Sequence, residues 1–424
     1  MTETTLTQAQ VTAQATPEER RARIVGISLI VLAAFVFWVF GLNVMGDLNA
    51  TFRLTLPTDT FPNIEWEVNT RTLAYIVAGV LAFLGGMLLW RSNAKRTNIA
   101  LAIGLILFAF TFLAWAAAGK SFSLVGMLRS TVILSIPVTL GALTGIMCER
   151  VAVINIGIEG QLLASAFTAT ILGSAYGLWA GVVGALAVGA LLGAFLAWMS
   201  IRFRVDQIIA GVVINIFALG LTSFLATRVL AEAQDLNAAP QFGAIAIPYL
   251  ADIPLLGSMF FNHNWFIYAT FLLVTLLHLG FFYTRWGLRS RSVGEHPRAA
   301  DTVGINVYAT RYRNVILGGL IAGMGGAFLS LTQVSRFEEN MTAGIGFIGL
   351  AAMIFGRWMP FGALAAGLVF GFARALQQKL GILATPIPSE FLLMTPYLVT
   401  IIVVAGLVGK SRPPAADGQP YVKE

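Results

Sequence analysis

The sequence is poor in charge. Only 11% of its 424 residues are Asp, Glu, Lys or Arg, against roughly 25% in a soluble domain. That deficit excludes an ordinary water-facing surface. Cysteine is scarcer still. Cys148 stands alone, so no internal disulfide can form, and the residue reads as plain packing. Of the three histidines, His278 lies in an apolar run without a nearby acid and reads as packing rather than as a proton relay. No phosphate-binding loop is present. Gly406-Leu407-Val408-Gly409-Lys410-Ser411 resembles the end of one, but Val404 stands where the motif needs glycine, and Arg412-Pro413-Pro414 follows, so no helix N-terminus is left for phosphate. Met1 to Glu19 lack the basic start and apolar core of a signal peptide and read as a disordered tail.

What is present is hydrophobic length. Hydrophobic residues make up 57% of the chain, gathered into long runs between short charged stretches. A span needs about 20 apolar residues. Twelve segments qualify or nearly so: 24–46, 73–90, 99–118, 126–147, 151–176, 177–200, 208–230, 265–284, 315–333, 344–358, 361–380 and 391–408. The tenth is short enough to be broken or re-entrant. With the N-terminus placed inside, alternation divides the 27 basic residues into 19 inside and 8 outside, as the positive-inside rule requires. The formal charge of +7 therefore reflects loop placement rather than nucleic-acid binding. The tryptophans agree: Trp90, Trp198, Trp286 and Trp358 fall at inner ends, and Trp38, Trp115, Trp179 and Trp265 near outer ends. Trp66 falls in an outer loop.

A weak internal repeat runs through these spans. Gly157 to Ser165 aligns with Gly344 to Ala352, with Gly, Ile, Leu and Ala shared. Each stretch is third in a group of five spans, 99–230 and 265–408. Five is odd, so the second group enters from the opposite side, the inverted arrangement of many transporters. Spans one and two are then an N-terminal addition.

Both matching stretches interrupt their helices with polar residues. Asn155, Glu159 and Gln161 sit in the first, and Glu338, Glu339, Asn340 and Thr342 precede Gly344 in the second. Irregular backbone at membrane depth is tolerated only where protein or water covers it. A carboxylate there costs roughly 2.5–3.5 kcal/mol, so Glu159 must meet a cavity or a partner. It either lines a solute path or caps the start of a half-helix. Asn155, Gln161 and Asn215 either contact a hydroxylated solute or bond between helices. Gln207, near the end of its span, reads as interfacial. The glycines at 181, 184, 189, 193, 319 and 323 read as close helix packing. The longest basic loop, Thr284 to Asn314, carries six arginines. Within it Pro297 suits the first turn of a short helix and Gly304 its stop, so this face can dock a partner protein.

At these residues the sequence resembles the permease subunits of bacterial ABC importers for simple sugars and nucleosides. Gly145 to Gln161 resembles their first signature, Val293 to Val307 their coupling segment, and Thr342 to Ile348 with Phe355 to Trp358 their second-half signature. The Asn-Ile-Gly-Ile-Glu-Gly-Gln form is closer to the nucleoside branch. The likeness covers roughly 99–410.

The resulting expectation is an all-α polytopic membrane protein of about twelve segments. Two inverted five-helix repeats (99–230 and 265–410) follow two additional N-terminal helices (23–98). An extracytoplasmic loop occupies 231–264, a coupling loop 284–314, and cytoplasmic tails 1–22 and 411–424. The resemblance implies a bacterial inner-membrane importer with both ends cytoplasmic. It implies a substrate path at Asn155, Glu159, Gln161, Asn215, Glu339 and Thr342, and ATPase coupling through Gly294, Glu295, Pro297, Arg298 and Asp301. It further implies ABC ATPase subunits that hold the ATP and magnesium, a second permease chain, an extracytoplasmic binding lipoprotein, and neither catalysis nor a cofactor in this chain. An ion-coupled secondary transporter shares the inverted repeat, but predicts more buried acids or histidines than Glu159 alone. A membrane enzyme needs paired acids or a His/Asp cluster that the sequence lacks.

Overall fold

The computed structural model describes residues 17–43, 48–56, 62, 64–90, 94–254, 256–383, 388–395, 397, 398, 401 and 412–423. Most of the twelfth expected span, the Gly406–Ser411 stretch and the first 16 residues lie outside them. Those described form two compact units, Met1–Leu124 with Ile382–Pro386, and Val125–Gly381 with Ile387–Glu424.

The first unit holds three helices, α1 (Pro17–Phe35), α2 (Thr70–Trp90) and α3 (Ala94–Ala116). α1 starts within the stretch expected to be a tail and carries Arg20, Arg21 and Arg23. It continues as a wider π-helical turn over Val36–Leu42. α3 was expected to open the first repeat, yet it packs here. A side chain at Gly104 would fall 2.6 Å from Leu29 of α1, and Phe108, Phe112 and Trp115 gather around Phe40. Its apolar residues run all round the helix, so periodicity could not reveal which neighbour it takes. A small sheet interrupts the all-α pattern. β1 (Asn49–Arg53) pairs antiparallel with β2 (Glu65–Asn69) and parallel with β3 (Ser121–Ser123). Phe52 and Trp66 of that sheet both stack on Phe110.

The second unit begins with α4 (Leu124–Glu149), α5 (Ile158–Tyr176), α6 (Leu178–Ala197) and α7 (Gln207–Leu225). It continues with α8 (Trp265–Tyr283), α9 (Arg285–Glu295), α10 (Pro297–Thr302) and α11 (Val307–Phe328), then α12 (Ile345–Phe355), α13 (Pro360–Ile382) and the short α14 (Ser389–Leu393). π-helical turns lengthen α6, α7 and α11 to Arg202, Leu230 and Val334. Across both units, nine described helices are long and apolar enough to cross a membrane. α5 is long enough but polar, and α12 has only 11 residues. At 1.5 Å per residue α12 covers about 16 Å, half of a roughly 30 Å hydrocarbon layer.

The centre of this unit is glycine-rich. The apolar window of α4 is 94% buried and that of α11 78%, whereas α7 and α8 are 28% buried. α11 lies backbone to backbone on α6. A Cβ on Gly319 would fall 2.2 Å from the Gly189 carbonyl, and one on Gly189 would fall 2.3 Å from the Gly319 carbonyl. α5 is held the same way, through Gly326 against the Leu162 carbonyl and Gly181 against the Ala169 carbonyl. Such contacts let helices associate where lipid offers no hydrophobic drive. Gly319→Ala is expected to destabilise the protein by about 1–3 kcal/mol, read as a lower unfolding temperature in detergent. A matched Gly→Ala change at Gly220, where a Cβ meets nothing within 4 Å, leaves that temperature unchanged.

Candidate functional site

Two helix breaks form the site. α4 stops at Glu149, and residues 150–157 are non-helical before α5 begins. Ala152 adopts the left-handed region there, with φ 62°. The freed backbone is satisfied by α7. Gln207 accepts from the Ile154 amide at 2.6 Å. Asn215 accepts from the Gly160 amide at 2.8 Å and donates to the Ile156 carbonyl at 2.9 Å. Between these residues Gly211 brings its backbone against Gly157, where a Cβ would fall 2.8 Å from the amide. Gln207, Gly211 and Asn215 are spaced i, i+4, i+8 and so share one helix face. That stripe was visible in the sequence. Gln207 is 5% exposed, so the interfacial reading of it is corrected: its amide is needed to close the break.

Glu159 joins this break to the second one. Its Oε1 accepts from the Gly344 amide at 2.7 Å and its Oε2 from the Gly346 amide at 2.6 Å. It sits in the first turn of α5 and caps the start of α12, which opens after Gly344 at φ 85°. Of the two roles open to it, the capping one is realised, on the opposing half-helix rather than its own. One carboxylate thus lies between two helix N-termini, where both dipoles favour negative charge. Gly346 permits the approach, since a Cβ there would fall 2.6 Å from the Glu159 amide.

The far end of α12 returns to the end of α4. Arg150 donates to the Trp358 carbonyl from Nε and Nη2 at 3.1 and 2.7 Å, and Trp358 Nε1 donates to Glu149 at 2.5 Å. Burial, then the nearby Arg291 guanidinium, lowers the pKa of Arg150 from its ordinary value. Residues 150–158 therefore climb about as far as α12 descends, and Glu159 marks the depth where the two breaks meet.

The remaining path candidates divide. Asn155 and Gln161 are fully buried and bonded to one another at 3.1 Å. Thr342 is fully buried in the turn before α12, whereas Glu339 is exposed on that turn and is not brought to Glu159. The sequence places Glu339 and Thr342 three residues apart, but the positive φ of Asn340 turns the chain between them. Buried polar atoms without a protein partner among the described residues include Asn155 Oδ1, Gln161 Nε2, Ser165 Oγ and Thr342 Oγ1. Buried polar groups normally find partners, so these are the donors and acceptors open to water or a polar solute.

The coupling candidates surround the basic loop. Pro297 opens α10, where His296 Nδ1 accepts from the Ala299 amide at 3.2 Å, and Gly304 follows its end at φ 83°. Arg298 is exposed. Gly294 packs against the Arg150 carbonyl, 2.4 Å from where its Cβ would be. Glu295 and Asp301 meet the C-terminal residues of the chain. Glu295 accepts from the Ala415 amide at 3.2 Å, and Asp301 pairs with Lys423 at 3.5 Å. This strap, residues 412–423, went unnoticed in the sequence. Its signals are Tyr421 and Asp417, an aromatic ring and an acid in an otherwise bland tail. Asp417 hydrogen-bonds the Glu149 side chain, which takes one proton between two carboxyls, and burial pushes its pKa up to about 6.

Two outcomes follow. Glu159→Ala strands two buried amides at roughly 1–3 kcal/mol each, so unfolding temperature in detergent and solute uptake both fall. Glu159→Gln fails similarly, because one of its amide positions presents a donor to a donor. For Asp417, the docked carboxyl binds its proton more tightly than a free one, so docking is favoured at low pH and weakens as pH rises through about 6. Glu149 and Cys148 of α4 and Arg311 of α11 are the titratable groups facing it. Hydrogen exchange over 415–421, corrected for intrinsic rates, is expected to quicken from pH 5 to pH 8, and Asp417→Asn to flatten that dependence.

The chain matches the family described as branched-chain amino acid transport system, permease component, over residues 127–404. The guanosine ABC transporter permease protein NupQ of Bacillus subtilis is 41% identical over 306 residues, covering 69% of this chain and 95% of that protein. The nucleoside ABC transporter permease protein NupC of Lactococcus lactis is 37% identical over 309 residues, covering 70% and 96%. The guanosine ABC transporter permease protein NupP of Bacillus subtilis is 27% identical over 280 residues, covering 64% and 77%. No solved structure matches. The match encompasses both breaks, α10 and the glycine-packed core, and the chain belongs to this family of transport-system permease components.

Proposed function

We propose that the chain is the membrane-spanning permease subunit of an ATP-driven importer that carries a nucleoside or related sugar compound. Its similarity to guanosine and nucleoside permeases over most of its length supports the class of cargo. Similarity to both NupQ and NupP, two permeases of one organism, supports a paralogous chain as partner. ATPase subunits holding ATP and magnesium and an extracytoplasmic binding lipoprotein complete the complex. The basic loop faces the cytoplasm, and with it the C-terminal strap.

The observation that carries the mechanism is the meeting of α5 and α12 at Glu159. Two helices whose first turns meet at one carboxylate, each opening after one of the repeat-aligned glycines Gly157 and Gly344, fit an inverted repeat whose junction lines the route. Asn155, Gln161 and Thr342 offer neutral hydrogen-bonding groups there, suited to a hydroxylated, uncharged cargo. Gly294, Glu295, Pro297, Arg298 and Asp301 place α9 and α10 where an ATPase would press. An ion-coupled mechanism is less well supported, because Glu159 holds two backbone amides of α12, a structural task, and the similar curated permeases are ABC transporter subunits.

In the reconstituted complex, binding protein loaded with guanosine is expected to raise ATP hydrolysis several-fold, and uptake to stop when the ATPases are omitted. Uptake that persists on an ion gradient without ATPases overturns this reading.

A further inference from the structure

The residues that form the ATPase-facing surface and those that form the first helix break are not in one helix, yet both touch the strap. On the loop side, the Ala416 amide donates to the Gly294 carbonyl at 3.0 Å, and the Ala415 amide to Glu295. Lys423 reaches Asp301. Tyr421, 6% exposed, lies on the Tyr308 ring at a centroid distance of 5.3 Å. Arg311 Nη1 donates to the Gln419 carbonyl at 3.2 Å. On the break side, Asp417 bonds Glu149, the last residue of α4. Gly418, at φ 74°, sits against Ile154, where a Cβ would fall 2.8 Å from Cδ1. Ile154 is the residue whose amide Gln207 holds.

A surface tail has no reason to make such contacts. Ordering these residues costs conformational entropy at each one. The strap instead buries an aromatic ring, fills a carboxyl site at the end of α4, and closes on Ile154 through its own glycine, Gly418, with a left-handed backbone. α9 meets the break directly where Gly294 lies on the Arg150 carbonyl, and Val293 and Ala300 share a buried apolar cluster with Val151 and Val153. The strap adds a further connection that ends on the break itself.

We propose that the C-terminal strap, residues 412–423, is a transmission element that carries movement of α9 and α10 to the α4–α5 break. Asp417 and Tyr421 are its positioning residues: neither touches cargo, and each fixes one end. This rests on the importer reading above. When the ATPases close on α10, the strap moves with Gly294, Glu295 and Asp301 and pulls on Glu149 and Ile154. The break then opens or closes the route at Asn155 and Gln161.

The test uses the full complex, with both permease chains, ATPases and binding protein in liposomes. Asp417→Ala and Tyr421→Ala are expected to keep basal ATP hydrolysis within two-fold of wild type while nucleoside taken up per ATP falls at least five-fold. Asp417→Asn and Tyr421→Phe, which keep the hydrogen bond to Glu149 and the buried ring, restore most of that ratio. A ratio unchanged in the alanine variants overturns the proposal. So does a parallel loss of hydrolysis and uptake tracking the yield of folded complex, the mark of a merely structural strap. A measurement on the wild type covers the case of variants that do not assemble. Adding a non-hydrolysable ATP analogue with magnesium is expected to change hydrogen exchange at 415–421 and 150–156 together, and a change at one alone overturns the link. A wild-type complex whose hydrolysis ignores loaded binding protein would count against the importer reading instead, and the exchange experiment still decides the strap.

Discussion

One carboxylate organises the second unit. Two helix N-termini brought head to head repel through their dipoles and leave up to eight amides without acceptors. Glu159 answers both problems at once, since its charge favours both termini and its two oxygens take two of the amides. Everything near it serves that placement. Gly346 clears the space, Asn215 occupies a further amide of α5, and Gly344 supplies a backbone turn that a side chain would resist. The cost of a charge at depth is met by hydrogen bonds rather than by a second charge.

The strap answers a different constraint. α4 ends in a glutamate whose next residue, Arg150, is turned onto the Trp358 carbonyl. Glu149 therefore takes neutral donors, the Trp358 indole and a shared proton with Asp417. Arg311, fully buried at the start of α11, completes the cluster through the strap backbone.

Much of this was legible in the amino acids. Gly157 and Gly344 align in the repeat, and each helix starts one residue later. Glu159 declared itself by being a lone acid among glycines. Its partner did not, because the acceptor-seeking groups are backbone amides, which every residue carries. Glu339, the other acid among the path candidates, is exposed. α3 was assigned by counting, and counting cannot reveal which helices a uniformly apolar rod touches. The strap was hidden for the opposite reason: twelve residues with three prolines carry no periodicity, and their meaning lies in what they cover.

The glycine contacts among α5, α6 and α11 have a mechanical corollary. Helices usually slide past one another by letting side chains swap rotamers, a cheap way to shear. Where Gly189 meets Gly319 and Gly326 meets Leu162, there are no rotamers to swap, only peptide groups in contact. The three helices pack as one stiff unit, and 150–157 and 335–344 are two flanking stretches without regular helical hydrogen bonds. In the importer proposed above, these two stretches serve as hinges and the packed helices as one rigid arm.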